Sequence, residues 1–177
     1  MEKHMTEVTS TSDVIKDLLK EITTSYLLIT ADTQSKGRGT YNKYWYSEPG
    51  GLYFSLAYKL DSFKDIQIEN ITVRIAKIVK EIIYTESQHK TEIEWPNDII
   101  LNNKKCAGIL VENCIINKNK FQIIGIGINI NQQTFPEEIK HAATSLFIES
   151  NKKYDIDIIK IKLKKEILKM YAQYPIK

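Results

Sequence analysis

The stretch "EWPNDIILNNKKCAGILVEN", residues 94–113, predicts a β-hairpin that follows a short strand. The strand over 91–95 stops at Pro96, because proline cannot donate a hydrogen bond to a β-ladder. Residues 98–116 then predict two paired strands with Asn102-Asn103 at the turn, since asparagine tolerates the positive φ that a tight turn requires. Asp98 and Lys105 stand on either side of this turn, so both side chains could reach one space.

Outward from this hairpin, helical and extended segments follow one another along the chain. Apolar residues at spacings of three and four predict helices over 12–24, 63–87 and 155–174. Short apolar and aromatic runs predict further strands over 26–31, 52–60 and 121–130. Residues 32–50 are polar and rich in turn formers, which predicts a long loop. The order of helix, strands, helix, several strands and helix favours an α+β fold, with helices packed mainly on one face of a mixed sheet.

Length and composition narrow the class of protein. A chain of 177 residues is expected to form one domain over 1–177. The net charge of +3, with lysines spread along the chain, does not by itself argue for nucleic acid. Two cysteines are too few for a disulfide framework, which favours a reducing, cytoplasmic setting. The N-terminus lacks the apolar segment of a signal peptide, and no apolar run is long enough to cross a bilayer.

The segment "KGRGTYNKYW", residues 36–45, places one of the two arginines of the chain between two glycines. The planar guanidinium of Arg38 can hold a phosphate or carboxylate with two parallel hydrogen bonds. Gly37 and Gly39 allow backbone N–H groups to turn toward the same anion. No P-loop lysine follows, so the segment predicts an anion-binding loop outside the standard nucleotide folds. The alternative is a solvated surface loop.

Three further glycines, at 108, 125 and 127, interrupt predicted strands. Glycine weakens a strand and often marks the close approach of a ligand or of another backbone. Together with the Gly-Arg-Gly loop they predict a cleft for a ligand, and the alternative is a set of bulges and tight packing contacts. In such a cleft Asp98 could hold Mg²⁺ beside phosphates, and Lys105 could neutralise the charge of a reacting acyl-phosphate. Alternatively, Lys105 is an exposed strand residue.

The chain as a whole resembles the catalytic domain of biotin–protein ligases. The matching segments keep the family's order and spacing, and they are "TSTSD" (9–13), "TQSKGRGTYNKYWYSEPGGLYFSL" (33–56), the hairpin stretch at 94–113, "IIGIGININ" (123–131) and "AATSL" (142–146). The resemblance implies a mixed sheet related to class II aminoacyl-tRNA synthetases. It also implies two half-reactions: biotin and ATP form biotinyl-5′-AMP, and a lysine of a carboxylase's biotin carboxyl carrier domain then takes the biotin.

The roles of individual residues are implied by their positions in these segments. Residues implied to bind biotin are Ser10, Thr11, Ser12, Gln34, Arg38, Gly39, Thr40, Lys105 and Gly108. Residues implied to bind ATP or the adenylate are Arg38, Trp45, Asn97, Asp98, Lys105, Gly127 and Asn129. Lys105 and Arg38 are the implied catalytic residues, with ATP and Mg²⁺ as cofactors and Asp98 as the candidate metal ligand.

The sequence also departs from the family pattern at several positions, and two domains found in some relatives are not expected. Thr40, Asn42 and Lys43 replace later members of a loop that is usually Gly-Arg-Gly-Arg-x-Gly-Arg, which predicts a weaker grip on the adenylate. Glu94 stands where lysine is often found, and Ser12 where asparagine is frequent. Neither a DNA-binding region before Ser10 nor a C-terminal β-barrel is expected, and the first of these absences predicts no DNA partner. No membrane partner is predicted, because no apolar run is long enough to cross a bilayer, and a homodimer is possible.

Two other functions stay open from the sequence. A lipoate or octanoyl transferase of the same superfamily would share the fold and an acyl-handling lysine. A non-catalytic module that binds nucleotide or nucleic acid through the basic loop belongs to a different class. The Gly-Arg-Gly loop and the Trp-Pro-Asn-Asp motif together favour biotin.

Overall fold

The computed structural model describes residues 1–61 and 68–173. Its strands are β1 (Glu2–Val8), β2 (Tyr26–Gln34), β3 (Gly51–Leu60), β4 (Thr91–Glu94), β5 (Asp98–Leu101), β6 (Lys104–Ile116) and β7 (Asn119–Asn129). Its helices are α1 (Thr11–Leu18), α2 (Ile68–Ser87), α3 (Leu146–Ser150) and α4 (Ile156–Gln173), and a short 3₁₀ turn spans Thr40–Asn42.

The strands form one mixed sheet with the order β1-β2-β3-β7-β6-β5-β4. β1 pairs with β2 in parallel, and the other neighbours are antiparallel. The predicted turn at Asn102-Asn103 is confirmed, with φ angles of 48° and 62°. A second two-residue turn at Asn117-Lys118 joins β6 to β7 with φ angles of 49° and 65°. Both turns need positive φ at two residues, as tight hairpins do.

Successive side chains of the central strands point to opposite faces of the sheet, and this alternation creates two separate apolar layers. Leu28, Leu56 and Ile124 belong to the main core with residues of α2 and α4. Leu27 and Ile123 face the other way and join a smaller cluster beneath α1. The two long helices therefore cover one face of the mixed sheet, as predicted, and α1 packs on the opposite face.

Several predicted boundaries were wrong. The first helix ends at Leu18 rather than at residue 24, because the amides of Lys20 and Glu21 bond three residues back, in turns rather than in a continuing α-helix. β1 was not predicted, because six of its seven residues are exposed and it shows no apolar alternation. β2 continues into the predicted loop as far as Gln34, and α3 was also missed. The beginning of the predicted helix over 63–87 lies partly outside the described residues.

A β-bulge decides which way Lys105 faces. Asp98 pairs with Gly108 and Ile99 with Ala107, but the register then shifts by one residue, so that Ile100 pairs with Lys105. In a regular strand Lys105 would share the face of Ala107, which is buried in the main core. A one-residue shift moves a side chain to the opposite face. Lys105 therefore lies on the same side of the sheet as Asp98 and α1.

Among the described residues, every helix is too short or too polar to span a membrane.

Candidate active site

A cavity of about 270 Å³ opens on the α1 side of the sheet. Its walls are the first turn of α1, the loop that follows β2, and the face of the sheet formed by β3, β5, β6 and β7. Every residue that the resemblance implied for biotin or the nucleotide lines this cavity, except Asn129. The fold thus brings together segments that lie far apart in the chain.

One end of the cavity is a chain of buried hydroxyl and amide groups. Thr11 donates both its backbone N–H and its hydroxyl to Gln34 Oε1, at 2.8 and 3.1 Å, and Gln34 Nε2 donates to Ser47 Oγ at 2.9 Å. Ser55 Oγ lies 2.8 Å from Thr11 Oγ1 and 2.9 Å from Ser12 Oγ. Because Thr11 has already given its proton to Gln34, it accepts from Ser55, and Ser55 accepts from Ser12. Ser12 therefore leaves lone pairs for a ligand that donates hydrogen bonds.

The Gly-Arg-Gly segment is folded into a small hairpin of its own. Gly39 N–H donates to Lys43 O at 2.7 Å, and Trp45 N–H donates to Gly37 O at 2.9 Å. A Cβ atom at Gly37 would lie 2.4 Å from Trp45 O, so only glycine fits this position. The loop thus has a defined backbone conformation, while the side chains of Tyr41 and Tyr44 within it are exposed.

Arg38 is engaged by carboxylates rather than free for an anion. Its Nη2 donates to Asp13 Oδ1 at 2.6 Å and lies 3.8 Å from Glu112 Oε2. Its Nε is buried and has no hydrogen-bond partner. Asp13 thus uses only part of the donor capacity of the guanidinium, and Arg38 itself lines the cavity.

Asp98 and Lys105 meet across the hairpin, as predicted. Lys105 Nζ lies 2.6 Å from Asp98 Oδ2, and Asn97 Nδ2 donates to Asp98 Oδ1 at 2.8 Å. The same Asn97 amide donates to Thr40 Oγ1 at 3.2 Å, which connects the hairpin to the loop. Both oxygens of the Asp98 carboxylate are thus in use.

The surroundings of Asp98 limit how a metal could bind. Within residues 1–61 and 68–173, no group of three or more His, Cys, Asp or Glu side chains is arranged to hold a metal ion. Mg²⁺ commonly binds through one or two carboxylates together with substrate phosphates. Asp98 therefore fits Mg²⁺ only as a single protein ligand for an ion that arrives with a nucleotide.

Trp45 lies on the glycine floor of the cavity. A Cβ atom at Gly127 would be 2.3 Å from Trp45 Nε1, and one at Gly108 would be 2.9 Å from Trp45 Cζ3. Lys105 Nζ lies 5.3 Å from the centre of the Trp45 ring, within cation–π range. Gly108 and Gly127 were predicted to make room for a ligand; in this structure they make room for the indole, because its ring packs directly on their Cα atoms.

Trp45 and Lys105 also border a second cavity of about 160 Å³. Asn129 lines this second cavity rather than the first. Its Nδ2 donates to Thr144 O at 2.9 Å, beside the point where Lys105 pairs with Ala143. Asn129 thus holds the segment that flanks Lys105, and the rest of this cavity is mainly aromatic and apolar, with Phe135, Ile139 and Ala142 in its wall.

Among the residues whose polar contacts are described above, Asp13, Ser47, Ser55 and Glu112 were not predicted as site residues. Ser55 carried a usable signal, because it is a single hydroxyl within the apolar run "LYFSLA" and is fully buried. Asp13 and Glu112 carried none, because they meet Arg38 only through the fold.

Comparison with known proteins agrees with this geometry. The sequence profile of the Biotin/lipoate A/B protein ligase family matches residues 4–131. The bifunctional ligase/repressor BirA of Bacillus spizizenii is 37% identical over 155 residues, which cover 84% of this chain and 46% of BirA. The biotin protein ligase of Aquifex aeolicus, solved in complex with biotin and ATP, is 34% identical and has a TM-score of 0.81, covering 95% of this chain and 68% of that chain.

A more distant structure shares the fold alone. The P. falciparum LipL1 protein, solved in complex with lipoate, is 18% identical with a TM-score of 0.59, covering 99% of this chain and 64% of that chain. The chain spans about half the length of the curated relatives that it matches. Its mixed sheet is the class II aminoacyl-tRNA synthetase-like fold of these proteins. The resemblance stated from the sequence is confirmed, and the chain belongs to the biotin/lipoate A/B protein ligase family.

Proposed function

We propose that this chain is an ATP-dependent biotin–protein ligase. It would form biotinyl-5′-AMP from biotin and ATP and then transfer biotin to a lysine of a biotin carboxyl carrier domain. The observation that carries the proposal is the single cavity that joins the hydroxyl network of α1 to the Asp98–Lys105 pair. A ligand with a polar head and an acidic tail would span these two ends.

The hydroxyl end favours biotin over lipoate. The ureido ring of biotin carries two N–H donors and one carbonyl acceptor, which match the lone pairs of Ser12 and the neighbouring hydroxyl groups. The dithiolane ring of lipoate offers no N–H, so it would leave the remaining lone pairs of Ser12 without a donor. Each unpaired buried polar group costs about 1–3 kcal/mol, so the site should discriminate strongly against lipoate.

In the first half-reaction, a carboxylate oxygen of biotin attacks the α-phosphorus of ATP. A new P–O bond forms, the bond to the bridging oxygen breaks, and pyrophosphate leaves with the electron pair. Lys105 would neutralise the charge that accumulates on the α-phosphate and carboxylate oxygens. Arg38 would hold the phosphate of the product through the N–H groups that Asp13 leaves free.

The second cavity would take the adenine side of the nucleotide. Its apolar wall and the indole of Trp45 suit a flat aromatic base. Trp45 lies between the two cavities, so it would contact the adenylate near its middle. When bound, Mg²⁺ would supply charge neutralisation for the phosphates, and Asp98 is the residue that would hold it.

In the second half-reaction, the ε-amino group of the carrier lysine attacks the acyl carbon of the mixed anhydride. An amide bond forms, the acyl–oxygen bond breaks, and AMP leaves. The lysine must be neutral to attack, so it loses its proton before or during this step. The carrier domain is the proposed protein partner, and a homodimer and a cytoplasmic location stay predictions from the sequence.

A nucleic-acid-binding role is less well supported by the charges of the site. Arg38 is paired with Asp13, and Lys105 with Asp98. These two cations of the cavity are therefore already compensated, and the positive charge left to the loop is that of Lys36 and Lys43 at the surface.

Calorimetry with biotin, lipoate, ATP and mixtures of each acid with ATP tests the proposal. Biotin should bind, ATP with biotin should give the heat of adenylate formation, and lipoate should give neither signal. Equal responses to lipoate and biotin would support a lipoate-handling enzyme instead, and no response to either acid would contradict both assignments.

A further inference from the structure

The loop over 36–45 is attached to the body of the protein at few side chains. Arg38 contacts Asp13 and Glu112, and Thr40 accepts from Asn97. Trp45 packs on the glycine floor. The contact with Asp13 is the shortest of the polar attachments, at 2.6 Å, and the only one of them that joins the loop to a helix.

Asp13 occupies a position that connects two parts of the site. It lies in the first turn of α1, directly after Ser10, Thr11 and Ser12, which line the cavity. A negative side chain in this turn is also favoured by the partial positive charge of the helix N-terminus. Any movement of this turn would therefore be passed to Arg38 through a direct ion pair.

Glu112 has a second cation of its own. Lys16 Nζ lies 3.0 Å and 3.1 Å from the two Glu112 oxygens. Glu112 is thus neutralised mainly by Lys16, which leaves Asp13 as the principal partner of Arg38. The side chains of Arg38 and Asp13 are 29% and 43% exposed, so the pair is partly protected from solvent.

We propose that Asp13 is a positioning residue for Arg38. Its carboxylate holds Nη2, which fixes the orientation of the guanidinium in the cavity wall and keeps the loop against α1. The pair thereby adds to the order of the loop in the ligand-free protein, and it couples the loop to the hydroxyl end of the cavity. The catalytic part of this inference rests on the proposed function, and the ordering part does not.

Hydrogen exchange in the ligand-free protein tests the ordering. The reporters are the amides of Gly39 and Trp45, whose hydrogen bonds lie within the loop. Asp13→Ala and Arg38→Ala should each speed their exchange by roughly fivefold, the upper end for a partly exposed ion pair, and the double variant should be no faster than either single one. The matched control is Asp17→Ala, which removes another α1 carboxylate, one that pairs with Lys20 rather than with a residue of the loop.

The hydrogen-exchange rates decide whether Asp13 orders the loop. Unchanged exchange in Asp13→Ala, or effects that multiply in the double variant, would overturn it. A similar acceleration in Asp17→Ala would mean that any weakening of α1 loosens the loop, and this also counts against the proposal.

A second experiment tests the catalytic part of the inference by measuring adenylate formation. Asp13→Ala should lower kcat/KM for biotin roughly tenfold, the scale for one charge-assisted hydrogen bond, but less than twofold when Arg38→Ala is already present. Asp13→Glu, which keeps the charge, should recover most of the loss. An equal loss in both backgrounds, or a gain of activity in Asp13→Ala, would show that Asp13 does not act by positioning Arg38. If the unaltered protein forms no adenylate, the proposed function fails while the exchange arm still decides the ordering.

Discussion

Replacing Lys105 with alanine separates chemistry from folding at the centre of the cavity. Lys105 Nζ lies 2.6 Å from Asp98 Oδ2 and 5.3 Å from the Trp45 ring, at the place where the reacting groups would meet. Removal of one preorganised charge from such a site typically costs about 10²- to 10³-fold in kcat. Lys105→Ala should therefore lower adenylate formation by roughly 10²-fold or more.

The same change should barely affect stability. The side chains of Lys105 and Asp98 are 36% and 19% exposed, and a partly exposed ion pair contributes at most about 1 kcal/mol. For a chain of this size 1 kcal/mol corresponds to a change in Tm of about 2–4 °C. The melting temperature of Lys105→Ala should thus fall by no more than a few degrees.

The assay is the rate of biotinyl-AMP formation under saturating biotin and ATP, measured together with thermal unfolding. The matched control is Lys104→Ala, which removes the neighbouring lysine of the same strand, a residue that lines neither of the two cavities. Full activity in Lys105→Ala, or an equal loss in Lys104→Ala, would refute the reasoning.

Further predictions concern the loop, the glycine floor and the Cys106 thiol. A Cβ atom at Gly127 would overlap Trp45 Nε1 at 2.3 Å, so Gly127→Ala should displace the indole and shift the tryptophan fluorescence spectrum; an unchanged spectrum would contradict the packing. Thr40→Arg adds a charge-assisted hydrogen bond worth about 1.5–3 kcal/mol, so it should slow release of labelled biotinyl-AMP from a preformed complex by roughly 10- to 100-fold; unchanged release would mean that another group already holds the phosphate. The amides of 35–44 should exchange more slowly once biotin and ATP have reacted, and equal exchange in both states would argue against a lid. Burial raises the pKa of the Cys106 thiol to about 12, so Cys106 should resist alkylation at neutral pH until the protein unfolds, as followed by mass spectrometry.

The sequence predicted the hairpin at 94–113 because its signals are local. Pro96 ends a strand, and Asn102-Asn103 adopts the positive φ angles that few other residues tolerate. The direction of Lys105 was not predictable in the same way. It depends on a register shift beside Ile99 and Ile100, and nothing in the local residue pattern marks where a bulge will fall.

Contacts between segments that lie far apart in the chain were also not predictable from the sequence pattern. Arg38 was expected to offer its charge to an anion, whereas in the structure Asp13, 25 residues away, takes one of its nitrogens. Gly108 and Gly127 were correctly singled out as places of close approach. That the approaching group is the indole of Trp45 follows only from the path of the loop across the sheet.

Biotin-dependent exchange of labelled pyrophosphate into ATP tests the central claim most directly. Exchange requires reversible formation of the acyl-adenylate, so it reports the first half-reaction without any carrier protein. The purified chain should catalyse exchange when biotin is present, lose it in Lys105→Ala, and show none with lipoate in place of biotin. If the folded protein showed no pyrophosphate exchange when biotin, ATP and Mg²⁺ were all supplied, the assignment of this cavity as a biotin-activating site would be contradicted.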